Sequence, residues 1–163
     1  MDDELQRYRI DQAHAYLERI RKMGEDCAGL QEQVDDAYSR ASGVKGIDYS
    51  AIRVQTSVTD DAMVNAVASI KDRIRDYAIA LSEYEDMRHD AFKAIQKMDD
   101  FTDAKALRYR YLCGWKWEKI CTVMNYSWDG MMKIRRRALC SFYDFMPLSE
   151  RDAIPSAMPS EYD

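Results

Sequence analysis

The cationic side chains of this chain are concentrated where they could neutralise phosphate. Residues 104–145 carry Lys105, Arg108, Arg110, Lys116, Lys119, Lys133, Arg135, Arg136 and Arg137 against only Glu118, Asp129 and Asp144. Within this stretch WEKICTVM (117–124) reads as a short helix with Trp117, Ile120, Cys121 and Met124 on one face. Asn125-Tyr126 makes a turn. Ser127 is a good N-cap for a longer helix whose Met131, Ile134, Ala138, Leu139 and Phe142 form an apolar stripe. A short helix, a three-residue turn and a Ser-capped longer helix have the spacing of a helix-turn-helix, whose first helix braces the second so that its N-terminal turns enter the DNA major groove. Trp128, Asp129, Met132 and Lys133 then lie at the entering end, where side chains meet base edges. Arg135, Arg136 and Arg137 follow where phosphates pass and supply affinity rather than sequence choice. Lys119, on the bracing helix, completes the expected DNA-binding set.

The elements that must position these residues are long rods. From Ile47 to Cys113 there is neither Gly nor Pro, which excludes a meandering β fold and favours long helices. Ala13, Tyr16, Ile20, Met23, Cys27, Leu30, Val34 and Ala37 alternate in steps of three and four, a heptad seam on a helix of about residues 3–38. Gly24 and Gly29 weaken that helix, and Ser39 to Ser42 with Gly43 and Gly46 end it. A segment of about residues 39–59 follows, and Thr59 with Asp60 and Asp61 reads as the N-cap of a second rod. That rod, about residues 60–98, repeats the seam at Val67, Ile70, Ile74, Tyr77, Leu81, Tyr84, Ala91, Ile95 and Met98, broken by Arg88. The expected fold is all-α: a long antiparallel helical hairpin, coiled-coil-like, over 1–100, then the helix-turn-helix over 101–146. The same stripes could pair between subunits as a homodimer, and the within-chain hairpin is the preferred reading. Thr102 or Asp103 can cap a helix running through Leu107, Tyr111 and Leu112 to a stop at Gly114. The stretch 147–163, rich in Pro, Ser and acids, reads as a disordered tail.

Charge sharpens the division. The 163 residues carry a net charge of −5, yet residues 1–103 are strongly acidic, 104–145 strongly basic and the tail acidic again. Paired acids such as Asp35-Asp36, Asp60-Asp61 and Asp99-Asp100 are adjacent, and neighbours on a helix point about 100° apart, so they do not converge on a substrate. With no Gly-rich phosphate loop and no Ser/His or Cys/His constellation, no catalytic residues and no enzyme activity are expected. Cys27, Cys113, Cys121 and Cys140 lack metal spacing, and His14 and His89 are far apart, so neither a metal nor a cofactor is expected. The thiols read as free and buried, as in a reducing cytoplasm. MDDELQRYR lacks the apolar core of a secretory signal, and no stretch approaches a membrane span.

The basic stretch resembles a known module. YLCGWKWEKICTVMNYSWDGMMKIRRRALCSFYDF is similar to the region-4 helix-turn-helix of sigma factors, through Tyr111-Leu112, Trp117-Glu118, Tyr126-Ser127 and Arg137-Ala138-Leu139. It is closer to sigma-like late transcriptional regulators of the ArpU type, encoded by phages and prophages of Gram-positive bacteria, which also carry a "VQTS" segment (Val54 to Ser57 here). The resemblance covers roughly residues 44–145. It implies a cytoplasmic transcription regulator that binds promoter-like double-stranded DNA, with RNA polymerase as a second partner and Trp128, Asp129, Met132 and Lys133 as base readers. Three departures stand out. Met132 replaces a polar reader and offers at most an apolar contact with a thymine methyl. Gly130 falls early in the recognition helix, where relatives place a larger side chain, and Lys116 stands where a capping residue is expected. A different class, a coiled-coil scaffold such as a genome-packaging small terminase subunit, usually places its DNA-binding module before the assembly helices, whereas here it follows them.

Overall fold

Without helix breakers, both rods run longer than their seams. The computed structural model describes residues 3–44 and 56–152. Among them every regular element is helical, opening with α1 (Asp3–Val44) and α2 (Thr56–Gln96). Helix α1 continues through Ser39, Ser42 and Gly43, because a helical glycine costs only about 1 kcal/mol and a serine less, too little to stop a rod that lacks proline. Thr59, expected as an N-cap, lies inside α2, which starts at Thr56. Residues 45–55, including Val54 and Gln55 of the VQTS segment, and residues 153–163 lie outside the described residues.

Compactness divides the chain differently from charge. One unit comprises Met1–Arg21 with Arg88–Asp163, and the other Lys22–Met87. The basic module therefore shares its unit with one end of each rod, and no boundary falls near residue 100.

In the Lys22–Met87 unit the two rods run antiparallel. Arg73 Nη1 donates to Gln33 Oε1 at 3.2 Å, and the Tyr84 ring packs over Gly24, where an added Cβ would stand 3.0–3.2 Å from it. Cys27 and Ile70 are buried, and burial raises the Cys27 thiol above its ordinary value. The expected seam holds at Ile70, Tyr77, Leu81 and Tyr84, which are buried or partly covered, and fails at two positions. Ala66, Arg73, Ala80 and Tyr84 are partly covered, whereas Val67 and Ile74 remain 44% and 38% exposed. The two helical glycines of α1 separate by environment. Gly29 has open space around its missing Cβ, so Gly29→Ala should raise the unfolding free energy by about 1 kcal/mol in a denaturant titration. Gly24→Ala should lose that gain, because its Cβ must displace Tyr84.

In the other unit, Ala13, Tyr16, Leu17 and Ile20 of α1 and Ala91, Ala94, Ile95 and Met98 at the end of α2 are buried. Here the seams hold as read. Helices α3 (Phe101–Leu107), α4 (Trp117–Met124) and α5 (Trp128–Phe142) complete it, with a π-helical turn at Arg108–Leu112 and a 3-10 turn at Leu148–Glu150. Tyr16 of α1 stacks on Phe142 of α5 with ring centroids 6.2 Å apart, and α3 packs most extensively on α5. The expected disordered tail does not begin at 147. Arg151 donates to the carbonyls of Asp144 and Met146 at 2.8 Å each, Glu150 pairs with Arg19, and Gln12 bonds Asp152. Arg151 thus satisfies carbonyls freed just beyond the end of α5, while Glu150 and Asp152 fasten the segment to α1.

Candidate nucleic-acid interface

Each helix of the basic module is fixed by its ends. Asp100 caps α3, accepting from the backbone N–H groups of Thr102 and Asp103 at 2.8 and 3.0 Å, so neither Thr102 nor Asp103 is the cap. These two donors, the Asp103 N–H foremost, and the Arg137 charge hold the Asp100 carboxyl below its ordinary 3.8. A depressed carboxylate stabilises the fold above its unfolded value and loses that contribution as pH falls through the folded one. Asp100→Ala should therefore lower the thermal midpoint at pH 7, and the gap from the parent protein should close as pH falls below 3.8.

Helix α3 passes into the π turn, where the Cys113 N–H donates to the Arg108 carbonyl at 3.0 Å. Gly114 then turns the chain with φ +70°. Cys113 is exposed rather than buried, because the turn that ends the helix also lifts it off the core. Lys116 precedes α4 without a side-chain cap. At its other end α4 closes in a Schellman motif: the Tyr126 N–H donates to the Cys121 carbonyl at 3.0 Å while Asn125 adopts φ 58°. Ser127 Oγ accepts from the Gly130 N–H at 3.1 Å and caps α5. A Cβ on Gly130 would stand only 3.1 Å from that oxygen. The missing Cβ at Gly130 leaves room for the cap.

Ala106, Ile120, Met131 and Ile134 form the buried centre of the module, ringed by Tyr109, Trp115, Trp117, Cys121, Met124 and Met132. The stripe read from the sequence on α5, Met131, Ile134, Ala138, Leu139 and Phe142, is buried throughout. Its opposite face carries Asp129, Lys133 and Arg136, all exposed, with Met132 half-buried beside them. Their spacing of three and four places them on one side of the helix. Trp128 is 49% exposed at the entering end. Lys119 is exposed on α4 with its ammonium 3.7 Å from the centre of the Trp115 ring. That contact begins a stack in which Trp115 lies on Tyr109 at 4.4 Å and Lys105 sits over Tyr109 at 5.7 Å.

Two of the seven α5 candidates leave this face. Arg137 donates to both oxygens of Asp103 at 2.6–3.2 Å and reaches Asp100 at 3.4 Å. Asp103 is only 2% exposed, so Arg137 serves a buried carboxylate and ties α5 to α3. Its own proton is held more tightly than usual by that hydrogen bond and charge. Arg135 is half-buried, 5.9 Å from the centre of the Trp117 ring, with its Nε buried and unpartnered. It lies beside Tyr111, whose hydroxyl is 3.0 Å from His14 Nδ1. Burial first, and then the Arg135 charge, lower the His14 imidazole below its ordinary 6.5. The position explains it: Arg135 follows Met131 by four residues and precedes Ala138 by three, on the edge of the buried stripe. That spacing was readable in the sequence, but charge alone assigned the residue to solvent.

An open groove of about 450 Å³ runs along the exposed face, lined by Lys133, Arg136, Arg137, Cys140, Ser141 and Asp144, with Gln6 and Arg9 of α1 opposite. Arg9 was not among the candidates, because 130 residues of sequence hide its proximity to the module. No protein-family model matches the chain, and neither the curated proteins nor the solved structures contain a match to it.

Proposed function

We propose that the chain is a sequence-specific DNA-binding transcription regulator of the phage or prophage sigma-like type, and not an enzyme. It inserts α5, the helix expected at 127–145, into the major groove of promoter-like double-stranded DNA. One observation carries the reading: Lys133 and Arg136 stand exposed on a capped helix whose other face is buried, and neither has an ion-pair partner among the described residues. The braced helix fixes where these cations are presented, and their charge is not already spent on the protein. Trp128, Asp129 and Met132 supply the contacts that distinguish bases, Lys119 adds a phosphate contact, and Arg135 and Arg137 hold the helix in place. RNA polymerase as a second partner, and action in the cytoplasm of a bacterial host, rest on the family resemblance. Among the described residues no helix is long and apolar enough to cross a membrane.

A second reading, a coiled-coil scaffold such as a genome-packaging small terminase subunit, is favoured by the exposed flank of Met63, Val67 and Ile74 on α2. Solution mass separates the two, since a regulator is a monomer or homodimer and a packaging ring holds eight or more subunits. Genome-wide DNA capture in a host cell tests the regulator directly. Discrete enriched sites upstream of genes, lost in a Lys133→Gln, Arg136→Gln variant, are expected, and even coverage of the genome would contradict it.

A further inference from the structure

We propose that α1 forms the second wall of the DNA-contact groove, with Arg9 meeting a backbone phosphate that α5 alone would leave on its flank. The inference rests on the DNA-binding reading of α5 and extends it to the first helix of the chain.

The groove brings Arg9, Lys133 and Arg136 together beside one lining carboxylate, Asp144; Arg137 also lines it, but its charge is committed to Asp103. It is continuous with the proposed reading face, because Lys133 and Arg136 belong to both. It is open and edged by charged side chains, which suits a phosphodiester passing through rather than an enclosed small molecule. Arg9 is prepared for such a contact. Its Nη1 is 3.1 Å from an Asp144 oxygen, its guanidinium lies 5.4 Å from the centre of the Tyr143 ring, and its Nε is already buried without a partner. A guanidinium pinned in this way has little rotamer freedom left to lose when an anion arrives. Gln6, one turn earlier on the same wall, adds an uncharged amide that can donate to phosphate oxygen. Asp144 orients Arg9 and also opposes the incoming phosphate.

That double role separates a groove wall from a merely structural ion pair. Arg9→Gln and Asp144→Asn break the same pair, so a structural role alone moves DNA affinity in one direction for both. The groove assignment requires opposite directions. The test is titration of a labelled mixed-sequence duplex with the full chain over a range of salt, alongside thermal melts. Arg9→Gln is expected to weaken binding several-fold and to reduce the slope of log K against log salt by about 0.9. Asp144→Asn is expected to tighten binding although both variants melt lower than the parent. Gln6→Glu adds a carboxylate to the groove without touching the ion pair, and it should weaken binding even if Arg9→Gln folds poorly. Equal affinities for the parent, Gln6→Glu and Asp144→Asn, or shifts of one sign for Arg9→Gln and Asp144→Asn, would overturn the proposal. A Lys133→Gln, Arg136→Gln variant run in parallel keeps the two levels apart. If it loses binding while the groove-wall variants do not change it, only the role of α1 fails. If it too binds like the parent, the reading of α5 fails with it.

Discussion

Replacing Arg137 with alanine lowers the unfolding free energy by about 3 kcal/mol, because it strands a carboxylate that the fold has removed from water. Asp103 is 2% exposed and receives both its close cationic hydrogen bonds from Arg137, at 2.6 and 2.9 Å. The figure lies at the lower end for a broken buried pair, because the arginine side chain itself is 59% exposed and part of its charge is screened. Asp103→Asn should cost less, since the amide leaves no buried charge and the freed guanidinium is solvated. Denaturant midpoints for the two variants check the order, and Arg136→Ala on the same helix should move the midpoint by less than about 0.5 kcal/mol. Equal costs for Arg136→Ala and Arg137→Ala would mean that the Asp103 contact does not anchor α5.

The reverse ranking is expected for DNA. Lys133→Gln with Arg136→Gln should weaken duplex binding by roughly 30-fold or more, as expected for the loss of two charge-assisted contacts. The same pair should leave the thermal midpoint nearly unchanged, because both side chains are exposed and unpaired among the described residues. Stability and affinity should thus fall on different residues of one basic run. Alanine at Arg135 would not report on DNA cleanly, since its side chain packs against Trp117 and Tyr111.

The local rules of helix building made most of the module legible. Ser127 as cap, Asn125 at the turn, the bounds of α4 and the buried stripe of α5 all follow from hydrogen-bonding groups a few residues apart, and the structure places them where the spacing does. What escaped was tertiary. Arg137 and Asp103 are 34 residues apart, and nothing local marks an arginine in a basic run as the partner of a buried acid. Arg9 and Asp144 are separated by 135 residues, so the charge boundary near 103 concealed that α1 shares a unit with the module. On α2 the seam read from hydrophobicity holds at Ile70 and Tyr84, whereas Val67 and Ile74 stay exposed, since an apolar period does not count how many of its positions find a partner. The residues that joined distant parts of the chain were charged, and periodicity does not weigh charge.

The central claim is that the exposed cations of α5 neutralise DNA phosphates, and the dependence of binding on salt measures this most directly. Duplex affinity of the full chain should fall linearly in log K against log salt. The slope should become shallower by about 0.9 for each phosphate contact removed in the Lys133→Gln, Arg136→Gln variant. A parent protein whose binding ignores salt, or a variant with the parent slope, would contradict the account.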